Sequence, residues 1–165
     1  MEAEFARQGF HLVRRESELS EPLHFEDFTV GRVFDCGTYN LTKEEVFEFA
    51  GEFDPQPHHL DEGAANQSML KGLSASGWHV CAIAMRLLAE GVILKAKNLG
   101  GVGSREARWM KPARPGDTLR MEAEVVEAKP SDSKPFGFVT FECRVFNARE
   151  QIAMISMTPV IGRRA

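Results

Sequence analysis

No stretch of this chain promises a bilayer crossing. The longest apolar run, within Val80 to Leu88, is broken by Arg86, and a spanning helix needs about 20 predominantly apolar residues. Blocks of lysine and arginine are missing as well. The pairs Arg14-Arg15 and Arg163-Arg164 stand alone in a chain of net charge −4 with both signs mixed, so neither nucleic acid nor a membrane surface is an expected partner. Cysteine is scarce. Cys36, Cys81 and Cys143 are odd in number, widely spaced and form no CxxC pair, which points to buried thiols in a reducing compartment and to a cytoplasmic location. The N-terminus is acidic from Glu2 and has no apolar core before a small-residue cleavage site, so a secretory signal is not expected. There is no internal repeat and no low-complexity segment.

What is present fits one domain of 165 residues with a real core. Met1 to Pro22 is charged with scattered apolar residues and reads as an extension with at most one loose helix, so the boundaries fall at 1–24 and 25–165. Phe25 to Gly31 reads as a turn into a strand, and Val33 to Tyr39 alternates as a half-buried strand does. Gly31 and Gly37 suit turn or bulge positions. Thr42-Lys43-Glu44-Glu45 matches a capping box, followed by Val46, Phe49, Ala50 and Phe53 at helical spacing. That helix must stop at Pro55, so it delivers Asp54 at its end. Asp61 reads as the N-cap of a short helix through Asn66. Gly77 to Leu94 is the most apolar helix, with apolar groups on nearly every face, and such a helix is expected to be buried all round. From Gly100 the period changes to alternation in four segments, near 102–110, 118–128, 137–147 and 152–161, separated by turn signals. The expected class is α+β: one antiparallel sheet wrapped around the long buried helix.

The chemistry concentrates in Phe53-Asp54-Pro55-Gln56-Pro57-His58-His59-Leu60-Asp61, where two acids and two imidazoles lie within eight positions. Each proline ring locks φ and removes a donor, so the segment reads as a rigid loop. A stiff loop holding a carboxylate and an imidazole at a set separation suits proton transfer; an exposed polar turn would use the same residue types. A metal site from Asp54, His58, His59 and Asp61 lacks a recognised ligand spacing. The first turn of the apolar helix carries Gly77, so a ligand can approach its free N–H groups, where the helix dipole favours developing negative charge.

These residues resemble a known motif. Asp54 to Asp61 is similar to the D-x-N-P-x-H-x-D pattern of the MaoC-like dehydratases, the (R)-specific enoyl-CoA hydratases, with Asp54, Pro57, His59 and Asp61 matching and Gln56 in place of Asn. Ala75-Ser76-Gly77-Trp78 stands where that family has a segment like A-H-G-M; the Gly is kept and Ser76 replaces His. Pro112 to Asp117 resembles the family's P-V-x-x-G-D turn. The resemblance runs from about Phe25 to Ile161. It implies a hotdog fold, a homodimer or higher homo-oligomer with active sites near the subunit interface, and an acyl-CoA or acyl-carrier thioester substrate.

The resulting expectation is a hydro-lyase that reversibly adds water to a trans-2-enoyl thioester in fatty acid metabolism, without metal or organic cofactor. Asp54 and His59 would hold one water between them, and the Gly77 N–H would stabilise the thioester oxygen. Gln56 would orient the pair or the substrate. Ser76 would cap the helix or touch the thioester, and Met85, with Leu88, would line an acyl pocket or pack the core. His58 is expected at the surface or in packing, and Lys111 and Arg114 at a solvated strand end. Two other readings keep the fold: an acyl-CoA thioesterase in which Asp54 activates water, and a non-catalytic acyl-CoA-binding module.

Overall fold

In the computed structural model residues 21–165 are described; the expected loose helix of the N-terminal extension lies outside them, apart from the last few residues. The strand β1 (Val33–Asn40) leads into α1 (Lys43–Phe53), as the capping box requires. The Thr42 side chain accepts from the Glu45 N–H at 3.2 Å, and Glu45 accepts from the Thr42 N–H at 3.0 Å. Such reciprocal caps satisfy two otherwise orphaned donors. The prolines then act differently from the expected loop. Pro57 is the first residue of a one-turn helix, α2 (Pro57–Leu60), the place where a missing N–H costs nothing and a fixed φ helps. The second half of the segment expected as a loop is helical. Asp61 caps α3 (Glu62–Gln67), accepting from the Ala64 N–H at 2.6 Å.

The apolar helix α4 runs Gly77–Gly91, shorter than anticipated, and a 3₁₀ turn, Ile93–Lys95, follows it. Together Gly77–Lys95 is long and apolar enough by composition to cross a membrane, contrary to the expectation drawn from the Arg86 break. Here it is the core helix of the fold. Val80, Ile83, Ala84, Leu87 and Leu88 are buried along one side, and burying each large aliphatic side chain contributes roughly 1.5–3 kcal/mol. The prediction of burial on every face is corrected by the other side. Trp78 is 62% and Met85 44% exposed, so α4 leaves an apolar stripe open.

One antiparallel sheet curls around this helix, with β1 at one end, three long strands in chain order beside it and β2 (Asn98–Gly103) at the other end. Its long strands are β4 (Thr118–Pro130), β5 (Phe136–Phe146) and β6 (Gln151–Gly162). Alternate residues Leu119, Met121, Ala123 and Val125 on β4 and Val139, Phe141, Cys143 and Val145 on β5 face the core, all buried, as the pleat demands. The segment expected as one strand near 102–110 is two: β2 (Asn98–Gly103) and β3 (Ala107–Trp109) pair with different halves of β6. The register slips between Asp35 and Thr38 of β1, which places Gly37 in a bulge. Leu23 forms a parallel bridge to Ala96, so the chain is already against the fold there. Cys36 and Cys143 are buried and Cys81 half-buried, all as free thiols; burial pushes Cys143 up to about 12 and Cys36 up to about 11.

Candidate active site

The site forms where the end of α1, the turn α2 and the start of α4 meet. Asp54 is the C-cap of α1, its N–H bonded to the Ala50 carbonyl at 3.0 Å. His59, near the end of α2, is only 6% exposed. Its Nδ1 lies 2.8 Å from the carbonyl oxygen of Ser74. A carbonyl can only accept, so Nδ1 carries the proton and the other ring nitrogen is left to the site. That nitrogen, Nε2, faces Asp54 Oδ2 at 3.6 Å.

Ser76, the N-cap of α4, is buried and uses its hydroxyl twice. Oγ accepts from the Trp78 N–H at 3.2 Å and donates to Asp54 Oδ2 at 2.6 Å. The Gln56 side-chain N–H donates to Asp54 Oδ1 at 2.7 Å. Both carboxylate oxygens are therefore held. The Ser76 hydroxyl, then the Gln56 amide, hold the Asp54 carboxyl below the usual carboxylate range against the opposing effect of partial burial; His59 and His58 add to the lowering. Gln56, expected to orient the pair or the substrate, and Ser76, expected to cap the helix or touch the thioester, thus converge on Asp54. His58 is half-buried with its ring centroid 4.3 Å from that of His59.

Gly77 is the first residue of α4, where its N–H has no partner within the helix. The indole of Trp109 on β3 lies directly over it: a Cβ at position 77 would sit 2.5 Å from Trp109 Cε2. Trp78 meets the same ring edge to face, with centroids 5.3 Å apart. Beyond these tryptophans the open stripe of α4 lines a cavity of about 640 Å³, with Trp78, Cys81, Met85 and Leu88 on the helix side and Ile155 and Met157 on β6. Met85 is thus in the cavity wall and not packed in the core.

Sequence reasoning missed three participants. Ser74 acts through its main chain, which leaves no residue signature. Trp109 belongs to a strand too short to show periodicity. Arg114 is half-buried and hydrogen-bonded to main-chain carbonyls, where a solvated strand end was expected; Lys111 is exposed beside Glu150. Among the described residues no three of His, Cys, Asp and Glu converge as a metal would need, and Asp61 is occupied as a cap.

A curved antiparallel sheet closed around a single central helix defines the class: this is a hotdog domain. Residues 27–143 match the MaoC-like domain family. The chain belongs to that family, the MaoC-like dehydratases. It is similar to the MaoC-like dehydratase from Rhodospirillum rubrum, at 39% identity and a TM-score of 0.77, over 87% of this chain and 99% of that one. The uncharacterized protein YdeM of Bacillus subtilis (strain 168) is 30% identical over 128 residues, which is 78% of this chain and 90% of the relative. An R-hydratase from Pseudomonas aeruginosa, at 23% identity and a TM-score of 0.70 over 87% of this chain and 88% of that one, shares the fold.

Proposed function

We propose that this protein is a hydro-lyase that adds water reversibly to the double bond of a trans-2-enoyl thioester. The observation that carries the reading is the pairing of Asp54 with His59. Two acceptor-capable atoms 3.6 Å apart can each reach one water oxygen at about 2.8 Å. The water is thereby aimed, and its proton has somewhere to go. In the hydration direction the water oxygen bonds to carbon 3 and gives up one proton to the pair. The π electrons of the double bond shift toward carbon 2 and the thioester carbonyl. A proton then passes from the pair to carbon 2, and the carbonyl re-forms. Asp54 and His59 face the same water, so the acid and base work belongs to both.

Gly77 is the oxyanion donor in this account. Its N–H adds the field of the α4 terminus, and losing such a donor costs about 3–4 kcal/mol of barrier. Gln56 and Ser76 orient Asp54 and keep it ionised. The cavity that begins at Trp78 takes the acyl chain, with Met85 in its wall. Membership of the MaoC-like dehydratases and the likeness to the Rhodospirillum rubrum protein support the hydro-lyase class. Coenzyme A or an acyl carrier bears the thioester, and the reaction belongs to fatty acid metabolism in the cytoplasm. The exposed apolar residues Trp78, Met85, Leu99, Val102, Trp109 and Met110 suit a second copy of the chain as cover for the open face of α4, which makes the working form a homodimer.

The test is the loss of enoyl absorbance when the purified protein meets trans-2-enoyl-CoA esters of graded length. Disappearance of the band with formation of the 3-hydroxyacyl ester supports the reading. Release of free thiol with the enoyl band intact replaces it with thioester hydrolysis, and tight binding without turnover replaces it with an acyl-CoA-binding module.

A further inference from the structure

The Ser74 carbonyl decides which nitrogen of His59 carries the proton, and nothing in the Ser74 side chain holds that carbonyl in place: its Oγ is buried without a hydrogen-bond partner. The connection is fixed instead from the β3–β4 turn. Arg114 Nη1 donates to the Leu73 carbonyl at 3.0 Å, and Nη2 donates to the Leu70 carbonyl. The peptide unit that carries the Ser74 carbonyl is tied to the same turn, since its own N–H, that of Ala75, donates at 2.9 Å to the carbonyl of Ala113, the residue before Arg114. The turn that carries Arg114 is itself closed, since the Arg114 N–H donates to Asp117 Oδ2 at 2.8 Å and the Asp117 N–H returns to the Arg114 carbonyl at 3.0 Å. At its α3 end the connection has two further ties, Gly72 N–H to the Ala65 carbonyl and Lys71 N–H to the Ser68 carbonyl, at 3.1 and 3.2 Å. Neither reaches past Gly72 toward Ser74.

Gly72 is shaped for the guanidinium. A Cβ there would lie 2.9 Å from Arg114 Nη1, and its φ of +138° suits glycine alone. A planar fork with several fixed donors can hold two carbonyls at once, where an ammonium offers a point charge.

We propose that Arg114 is the positioning residue of the dyad: through the Leu70 and Leu73 carbonyls it sets the Ser74 carbonyl, and through that carbonyl it fixes the His59 tautomer and ring orientation. Arg114 acts through these main-chain carbonyls and not on the reacting atoms. The proposal rests on the dyad reading given above, but its main readout does not need turnover.

The experiment is nitrogen-15 NMR of the histidine side chains in the native protein, Arg114→Ala, Arg114→Lys and Gly72→Ala, with thermal unfolding by circular dichroism as the check on folding. The native His59 shows a single neutral tautomer with the proton on Nδ1. Arg114→Ala and Gly72→Ala show a mixture, Arg114→Lys an intermediate state, and ethylguanidinium moves Arg114→Ala back toward the native signals. If hydration is observed, kcat in Arg114→Ala falls roughly ten- to hundredfold with KM nearly unchanged. Should Arg114→Ala fail to fold, Arg114→Lys and Gly72→Ala carry the test. Folded variants that keep one Nδ1-protonated tautomer overturn the proposal whether or not the protein turns over enoyl thioesters. Absence of turnover with the tautomer shift present would count against the hydratase reading alone.

Discussion

The Ser76 hydroxyl donates to Asp54 Oδ2 at 2.6 Å, joining two residues 22 positions apart. One hydroxyl thereby caps the core helix and stabilises the carboxylate at the end of α1, so the start of α4 and the charge state of Asp54 are linked. Replacing Ser76 by alanine removes the largest influence that lowers the Asp54 pKa, and the pKa rises. The acid limb of the rate profile then moves to higher pH, since less of Asp54 stays ionised at a given acidity. The lost cap also lowers stability by about 1 kcal/mol. A rate profile of Ser76→Ala that overlays the native one would remove Ser76 from the account.

Gly77 is required by the ring above it. Gly77→Ala places a methyl group 2.5 Å from Trp109 Cε2, and overpacking of this kind costs about 1–3 kcal/mol. The expected result is a lower melting temperature together with weakened activity. Adding Trp109→Ala to Gly77→Ala relieves the clash, so the double variant is destabilised less than the sum of the two singles. Strict additivity would show that the indole does not press on this turn.

His79 lies in the first turn of α4, 6% exposed, with its ring stacked on Phe49 at 4.5 Å and its Nδ1 without a partner. Burial holds its pKa below the usual imidazole value, with Glu45 of α1 opposing. As pH falls below about 6.5 the unfolded chain takes up a proton that the folded chain resists. This residue's contribution to stability is therefore present above that pH and lost as the solution is acidified. His79→Phe keeps a ring against Phe49 and removes the titration. Thermal unfolding at about pH 7.5 and pH 5.5 is expected to show a smaller acid loss in the variant, and an unchanged loss would mean that His79 does not titrate differently on folding.

Met85 stands in the wall of the cavity that α4 leaves open. Met85→Trp fills part of that volume from a position outside the buried core of the protomer. The longest enoyl esters accepted by the native protein are expected to lose turnover by roughly tenfold or more, through KM, while the shortest are nearly unaffected. A uniform change across chain lengths would place the acyl chain elsewhere.

Much of this was legible in the residues. The capping box at Thr42 and Glu45, the halt at Pro55 and the cap at Asp61 are local rules, and each is found in the structure. The strands β4 to β6 follow from alternation, and the family resemblance anticipated the fold. What was not legible depends on contacts distant in sequence. Pro57 could either break a helix or begin one, and the following turn decided for beginning it. The all-round apolar pattern of α4 did not reveal that Trp78 and Met85 face a cavity, because periodicity reports polarity and not what lies opposite. Ser74 and Arg114 act through main-chain carbonyls, for which any residue type would serve at the acceptor. Gln56 was readable as a group that orients the pair, and its bond to Asp54 is local, two residues away; that Ser76 reaches the same carboxylate needed the packing of α1 against α4.

The most direct test of the central claim is the hydration rate of Asp54→Asn, His59→Gln and the double variant on the best enoyl-CoA ester of the native protein. Each single variant is expected to lose at least roughly a hundredfold, as general acid–base partners do, and the double variant to be little worse than the more damaged single, as residues acting as one unit are. A single variant that keeps near-native rates while correctly folded, or losses that multiply, would contradict the shared handling of one water by Asp54 and His59.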